Sequence, residues 1–285
     1  MKLAQDIIER TVRMALLEDA PWGDITSEAL IPAAARVRAH LMAREDGVLS
    51  GETVFAAAMS LTHSSITTAF HTHDGERFSA GAVLADVEGP ARGVLQGERV
   101  ALNFAQRMSG IATMTAAYVA ETAGTKARIV DTRKTTPGLR AFERYAVRCG
   151  GGFNHRWSLS DAVLAKDNHL ALLTNGRGQE LTAALQAARE RLPHTTHFEV
   201  EVDRPDQIEA VLAAGVDTIM LDNFSTQQML EAVAQIAGRA LIEASGGITL
   251  SRIHEIAETG VDLISVGALT HSVRSLDLGL DILPV

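Results

Sequence analysis

The sequence predicts an α/β chain in two parts. A first α+β region of roughly a hundred residues, an ordinary domain size, is followed by β/α units with parallel strands and helices outside. Three observations lead there. From Ala127 onward, short β-rich runs alternate with helical stretches. Before that point, short strands are punctuated by Gly, Asp and Pro. Near the start of the second part lies a cationic stretch, Asp131 to Arg156, whose residue types suit a binding site better than a core.

The chain has 285 residues, 46% hydrophobic and 21% charged, enough to bury a large core. Its formal net charge of −9 argues against general nucleic-acid or membrane-surface binding, which favour basic faces. Cys149 is the single cysteine, so no internal disulfide can form and a reducing compartment is expected. No base is evident beside it, and a small core or loop role is expected rather than a nucleophile. The start, MKLAQDIIERTVRMALLEDA, reads as neither a signal peptide nor a membrane span.

In order, Leu3, Ile7, Ile8, Val12 and Leu16 form one apolar helical face. The helix is expected to end near Ala20-Pro21, and Trp22 to Thr26 reads as a turn. Residues 36–50 and 66–95 read as short strands, with Ala56 to Leu61 helical between them. His63, His71 and His73 fall here without a cysteine or carboxylate cluster, which favours surface histidines over metal ligands. From Gly97 to about Ala123 runs a long helical pattern. Gly110 predicts a bend or break in it. Arg99 would sit in its first turn, against the helix dipole.

The later strands are expected at Ala127–Val130, Ala162–Ala165, His197–Val202, Asp217–Leu221, Ala240–Glu243 and Asp262–Val266. Helices are expected at 178–192, 205–214, 225–237 and 250–259. Each strand finishes in a functional-looking residue: Arg133-Lys134, Lys166, Glu201, Asp222, Ser245-Gly246-Gly247 and Gly267. The C-terminal strand ends are where β/α barrels keep their active sites. In Glu199-Val200-Glu201-Val202 the alternation puts both glutamates on one face. With an apolar helix-facing side, that face points inward, so these carboxylates need cations or a metal nearby. Two small-residue loops after the last strands, at Ser245 to Thr249 and Val266 to Thr270, form a phosphate-binding arrangement.

The cationic stretch holds six Lys/Arg (Arg133, Lys134, Arg140, Arg144, Arg148, Arg156) and His155 against two acids. Guanidinium forks suit carboxylate and phosphate, and Gly150-Gly151-Gly152 lets backbone approach a ligand. For Arg140, Arg144 and Arg148, whose four-residue spacing lines one helix side, a solvated basic face is a serious rival.

Several runs carry a family resemblance: DTRKTTPG (131–138), YAVRCGGGFNHR (145–156), KDNH (166–169), EVEVD (199–203), LDN (221–223), ASGGI (244–248) and SVGALTH (265–271). With Leu17-Glu18-Asp19 and Gly23-Asp24-Ile25-Thr26 near the start, they resemble quinolinate phosphoribosyltransferase along nearly the whole chain. The resemblance implies an incomplete, seven-stranded α/β barrel over 111–270. It also implies an N-terminal open-sandwich domain over 1–110, to which the 271–285 tail returns. The implied reaction moves a phosphoribosyl group from phosphoribosyl pyrophosphate to quinolinate with loss of CO₂, giving nicotinate mononucleotide for NAD synthesis.

Carried over by position, Arg133, Arg156 and Lys166 would bind the quinolinate carboxylates, with His155 lining the pocket. Arg99 would be donated across the interface of a homodimer or higher homo-oligomer. Lys134 would sit near pyrophosphate or the carboxylate, and Thr132 and Val266 fall among the substrate-binding positions. Glu201 and Asp222 would hold the ribose hydroxyls and Mg²⁺. Ser245, Gly246, Gly247, Gly267 and Ala268 would cradle the 5′-phosphate, and His271 would assist. Lys134, Lys166, Glu201 and Asp222 are the catalytic candidates. A cytoplasmic location is expected, with no nucleic-acid or membrane partner. The nearest rival is a phosphoribosyltransferase of the same fold acting on a monocarboxylate such as nicotinate, or the paralogue encoded with molybdate transporters; a Schiff-base aldolase using Lys166 and a non-enzymatic anion binder are the further rival readings.

Overall fold

A computed structural model describes residues 2–174 and 178–283. In chain order, α1 (Gln5–Asp19) and α2 (Ile25–Leu30) precede β1 (Arg36–Ala43), β2 (Gly47–Val48), α3 (Glu52–Thr62), β3 (Thr67–Phe70), β4 (Arg77–Phe78), β5 (Val83–Pro90) and α4 (Ala91–Ala120). Then come β6 (Arg128–Val130), α5 (Arg140–Cys149), β7 (Val163–Ala165), α6 (Asp167–Thr174), α7 (Gly178–Arg189), β8 (Phe198–Val202) and α8 (Ile208–Ala213). The chain closes with β9 (Thr218–Asp222), α9 (Thr226–Ile236), β10 (Leu241–Ser245), α10 (Ile253–Glu258), β11 (Leu263–Ser265), α11 (Ala268–His271) and β12 (Leu278–Ile282).

These elements form two compact units. One is Met1–Ala116, Thr135–Gly151 and Leu269–Val285; the other is Ala117–Lys134 and Gly152–Ala268. The division differs from the expected 1–110 and 111–270. Residues 135–151, with α5, group with the first unit although they are inserted in the sequence of the second. The cationic stretch is therefore shared between units. Arg140, Arg144 and Arg148 belong to the first unit, while Arg133, Lys134, His155 and Arg156 belong to the second.

In the first unit an antiparallel sheet has the order β12-β1-β5-β3. Along β1, Val37, Ala39, Leu41 and Ala43 are buried while Arg36 and Arg38 are exposed, the alternation of a half-covered sheet. The tail returns as β12, with Leu41 opposite Leu280; Pro284 and Val285 lie outside the described residues. Ile8 and Val12 of α1 are the fully covered part of the expected apolar face. Burial of each is worth about 1.5–3 kcal/mol.

Four expectations for this unit need correction. Ile25 and Thr26 open α2 rather than a turn, because Asp24 caps it by accepting the Thr26 and Ser27 N–H groups at 3.0 and 3.1 Å. Helix α4 begins at Ala91, so Arg99 lies beyond the first turn and meets no dipole penalty. Helix α4 also runs unbroken through Gly110: the Arg274 carbonyl comes so near that any Cβ there would collide with it. Arg144 is buried, so α5 is not a solvated basic face. The tail and α5 pack against α4, and sequence periodicity alone does not reveal such partners.

In the second unit all strands are parallel, in the order β6-β11-β10-β9-β8-β7. The last strand, β11, pairs with the first, β6, so the sheet curls on itself. A single parallel bridge joins Val130 to Phe153 on the other side of β6. The expected seventh strand is thus one bridge long, at Phe153. Among the described residues no pairing joins Phe153 to β7, and the barrel is incomplete there. Each observed strand lies within two residues of its expected bounds.

Candidate active site

The C-terminal strand ends of the second unit surround a cavity of about 640 Å³. Its wall brings Thr132, Arg133 and Lys134, which follow β6, together with His155 and Arg156 from the segment after the Phe153 bridge. It continues with Lys166 after β7, Glu201 in β8, Asp222 at the end of β9, and Ser245, Gly246 and Gly247 at the end of β10. The register of parallel strands makes this possible: Glu201 lies opposite Met220, and Ser245 lies opposite Asp222.

On the cationic side, Arg133 keeps a buried Nε with no hydrogen-bond partner. An orphaned guanidinium N–H is costly unless a ligand accepts it. Arg156 is fixed by Nη1 donating to the Ala162 carbonyl at 2.8 Å. Burial and then Arg133's charge pull its pKa down, while Glu199 and Asp161 oppose that pull. Lys134 is exposed, with its backbone N–H on Thr132 Oγ1 at 3.1 Å. Asp131, fully buried, ties this loop down. It accepts Asn154 Nδ2 at 2.6 Å and the His155 N–H at 2.8 Å.

On the acidic side, Glu199 and Glu201 are both buried and face inward as expected. The Lys166 ammonium donates to Glu201 Oε2. A lysine so engaged lacks the free lone pair that a Schiff base requires. Asp222 Oδ2 accepts Asn223 Nδ2 at 2.7 Å. Both carboxylates are hard oxygen donors on one cavity wall, the donor type that Mg²⁺ takes together with water and phosphate oxygens. Gly246 sits at φ +89°, and a Cβ there would collide with the Asn223 side chain. Asn223 is itself left-handed at φ 58° and donates its N–H to the Ser245 carbonyl at 2.9 Å. These close contacts hold the Ser245–Gly247 backbone against the end of β9.

Other expected residues fall elsewhere. Val266, Gly267 and Ala268 follow β11 but do not line this cavity. Val266 is buried and its N–H donates to Val130. Arg99 and His271 belong to the first unit, where Arg99 is exposed and His271 Nδ1 contacts Ser272 Oγ at 2.7 Å. Cys149 is also there, its thiol pushed up to about 11, chiefly by burial, so it is no nucleophile. His71 and His73 pair singly with Asp86 and Glu52 at 3.0 Å. Asp131 and Glu243 lacked any distinctive sequence signal; the one hint was a second inward carboxylate on β8, Glu199.

Comparison with known proteins places this geometry. Residues 24–109 match the family described as quinolinate phosphoribosyl transferase, N-terminal domain, and residues 111–281 match its C-terminal domain. The nicotinate-nucleotide pyrophosphorylase [carboxylating] of Mycobacterium leprae is 45% identical over 283 residues, covering 97% of this chain and 98% of that one. A solved structure, NadC from Streptococcus pyogenes, superposes with a TM-score of 0.93 at 42% identity, covering 100% of each chain. The nicotinate-nucleotide pyrophosphorylase from Francisella tularensis gives 0.92 at 38% identity, covering 99% of this chain and 98% of that one. By sequence along both domains and by fold, the chain belongs to the quinolinate phosphoribosyl transferase family.

Proposed function

We propose that this chain transfers the phosphoribosyl group of phosphoribosyl pyrophosphate to the ring nitrogen of quinolinate and decarboxylates the adduct, in NAD biosynthesis. The observation that carries the reading is the orphaned Arg133 Nε in a cavity lined by guanidinium and ammonium groups together with carboxylates. A pyridine dicarboxylate needs the cations, and a ribose with developing positive charge needs the carboxylates. Arg133, Arg156 and Lys166 hold the two carboxylates. Ser245, Gly246 and Gly247 offer backbone to the 5′-phosphate. Glu201 and Asp222 face the sugar.

As the C1′–oxygen bond to pyrophosphate breaks, the ring nitrogen closes on C1′ and becomes cationic. The adjacent carbon–carboxylate bond then breaks, CO₂ leaves, and the electron pair left on carbon takes a proton from water. Positioning by the arginines supplies much of the rate. Glu201 and Asp222 would hold Mg²⁺, which when bound neutralises charge on the departing pyrophosphate.

We read the chain as a homodimer, with Arg99 reaching the partner's pocket. An exposed apolar group at Met14, Leu17, Trp22, Ile25 and Leu30 supports self-association. No helix among the described residues is long and apolar enough to cross a membrane, which is compatible with a cytoplasmic location. The test is product analysis with quinolinate and phosphoribosyl pyrophosphate, with and without Mg²⁺. Nicotinate mononucleotide and CO₂ in equal amounts, dependent on Mg²⁺, are expected. Product without CO₂, or turnover of nicotinate alone, overturns the reading.

A further inference from the structure

Below the rim, a second cavity of about 470 Å³ opens at the N-terminal strand ends of the same unit. His155, Arg156 and Glu243 line both cavities, and Glu199 lines the lower one. His155 Nε2 lies 3.0 Å from Glu199 Oε2 and 3.5 Å from Glu243 Oε2. Glu199 is 4% exposed and Glu243 1%. Each also keeps a buried Oε1 without a hydrogen-bond partner. Two carboxylates and an imidazole with donor atoms within 4.8 Å of one another have the composition of a divalent-metal site.

The tautomer argues otherwise. His155 Nδ1 accepts the Arg156 N–H at 2.7 Å, so the proton of a neutral ring sits on Nε2, the atom facing the carboxylates. A metal would need that lone pair, and metal-bound histidines donate from the other nitrogen instead of accepting there. What joins these groups is then a proton. Burial first, and then the charge of Glu199, raise the pKa of Glu243. For His155, burial works to lower the pKa, but the Glu199 hydrogen bond and then the charges of Glu243, Glu199 and Asp131 outweigh it.

We propose that Glu199 and Glu243 are positioning residues for the dicarboxylate pocket: their buried carboxylates, facing His155 Nε2, fix the ring that lines the upper cavity. The inference rests on the quinolinate reading above. Without Glu199 the His155 ring, which lines the upper cavity, would lose its nearer anchor.

The experiment measures kcat and KM for both substrates, and dissolved metal, in the full chain and in E199Q, E243L and E243Q. E199Q and E243L should raise KM for quinolinate about tenfold, the scale of one hydrogen bond to a charged group. KM for phosphoribosyl pyrophosphate should change less than about threefold. E243Q, which keeps a carbonyl oxygen facing the ring, should recover most of the E243L loss, whereas E199Q weakens the nearer contact to Nε2. Equal losses in E243Q and E243L, equal KM changes for both substrates, or KM values unchanged in every variant overturn the proposal. So does a stoichiometric metal that E199Q abolishes. If the unaltered chain makes no product, the reaction reading fails separately. Calorimetric titration of pyridine-2,3-dicarboxylate into the same variants then decides the positioning role by the same pattern.

Discussion

In the first unit, Glu143 of α5 is buried and closed off by its neighbours. Its Oε1 accepts Arg107 Nη2 at 2.8 Å and Thr136 Oγ1 at 2.8 Å, and its Oε2 accepts the Thr136 N–H at 3.0 Å. Arg107 spends its remaining donors on the Val273 and Thr270 carbonyls. In the second unit the charges are as deeply buried, yet Arg133 Nε, Glu199 Oε1 and Glu243 Oε1 are left without partners. Both clusters carry the desolvation cost of buried charge. Only the first recovers it within the protein. The Glu143 cluster closes on itself, whereas the charged groups around the two cavities of the second unit keep open valences.

Three measurements sharpen or break that contrast. The largest effect belongs to Glu143→Ala. It strands Arg107 in a half-buried position and should cost about 3–5 kcal/mol of stability, read as a lower urea midpoint. A loss of unfolding free energy under about 1 kcal/mol would mean that the closed cluster is not structural. Next comes Arg133→Ala. It should lower kcat/KM for quinolinate by about 10²–10³, the worth of a bidentate charged contact, and change the unfolding free energy by less than about 0.5 kcal/mol. A large stability loss there would erase the distinction between the clusters.

The smallest effect concerns Glu45, an exposed-edge counterpart in the first unit. Arg274 Nη1 and the Asp277 N–H donate to it at 2.8 and 2.7 Å, and its carboxyl is held at about 2 rather than the usual 4.5, chiefly by Arg274. A folded pKa below the unfolded one stabilises above pH 4.5 and fades as pH falls through about 2. Thermal melts of Glu45→Gln and the unaltered chain should therefore differ most above pH 5 and converge near pH 2. A gap independent of pH would show that the pair contributes nothing through its charge.

Much of the second unit was readable. The β-rich runs near 128–130, 163–165, 198–202, 218–222, 241–245 and 263–265 stand out because each is short and helical stretches separate most of them. The inward direction of Glu201 followed from a period of two. Most rim residues, from Arg133 round to Gly247, were legible for the same reason: a parallel strand delivers the residue after its last apolar position to one rim. The first unit was less readable. The start of α4 at Ala91, the unbroken passage through Gly110 and the burial of Arg144 all depend on partners supplied by distant segments.

The sequence by itself determined the order of strands and helices, the charge types at each strand end and the side of β8 that carries carboxylate. These are local properties, set by periodicity and residue chemistry over a few positions. Tertiary structure alone decided that Asp131 would brace Asn154 and His155, that Glu199 would meet Glu243, and that residues 135–151 would leave the barrel for the first unit. Side chains far apart in the chain acquire hydrogen-bond partners only once the curled sheet has brought their strands together, because proximity in space is not encoded at either position alone.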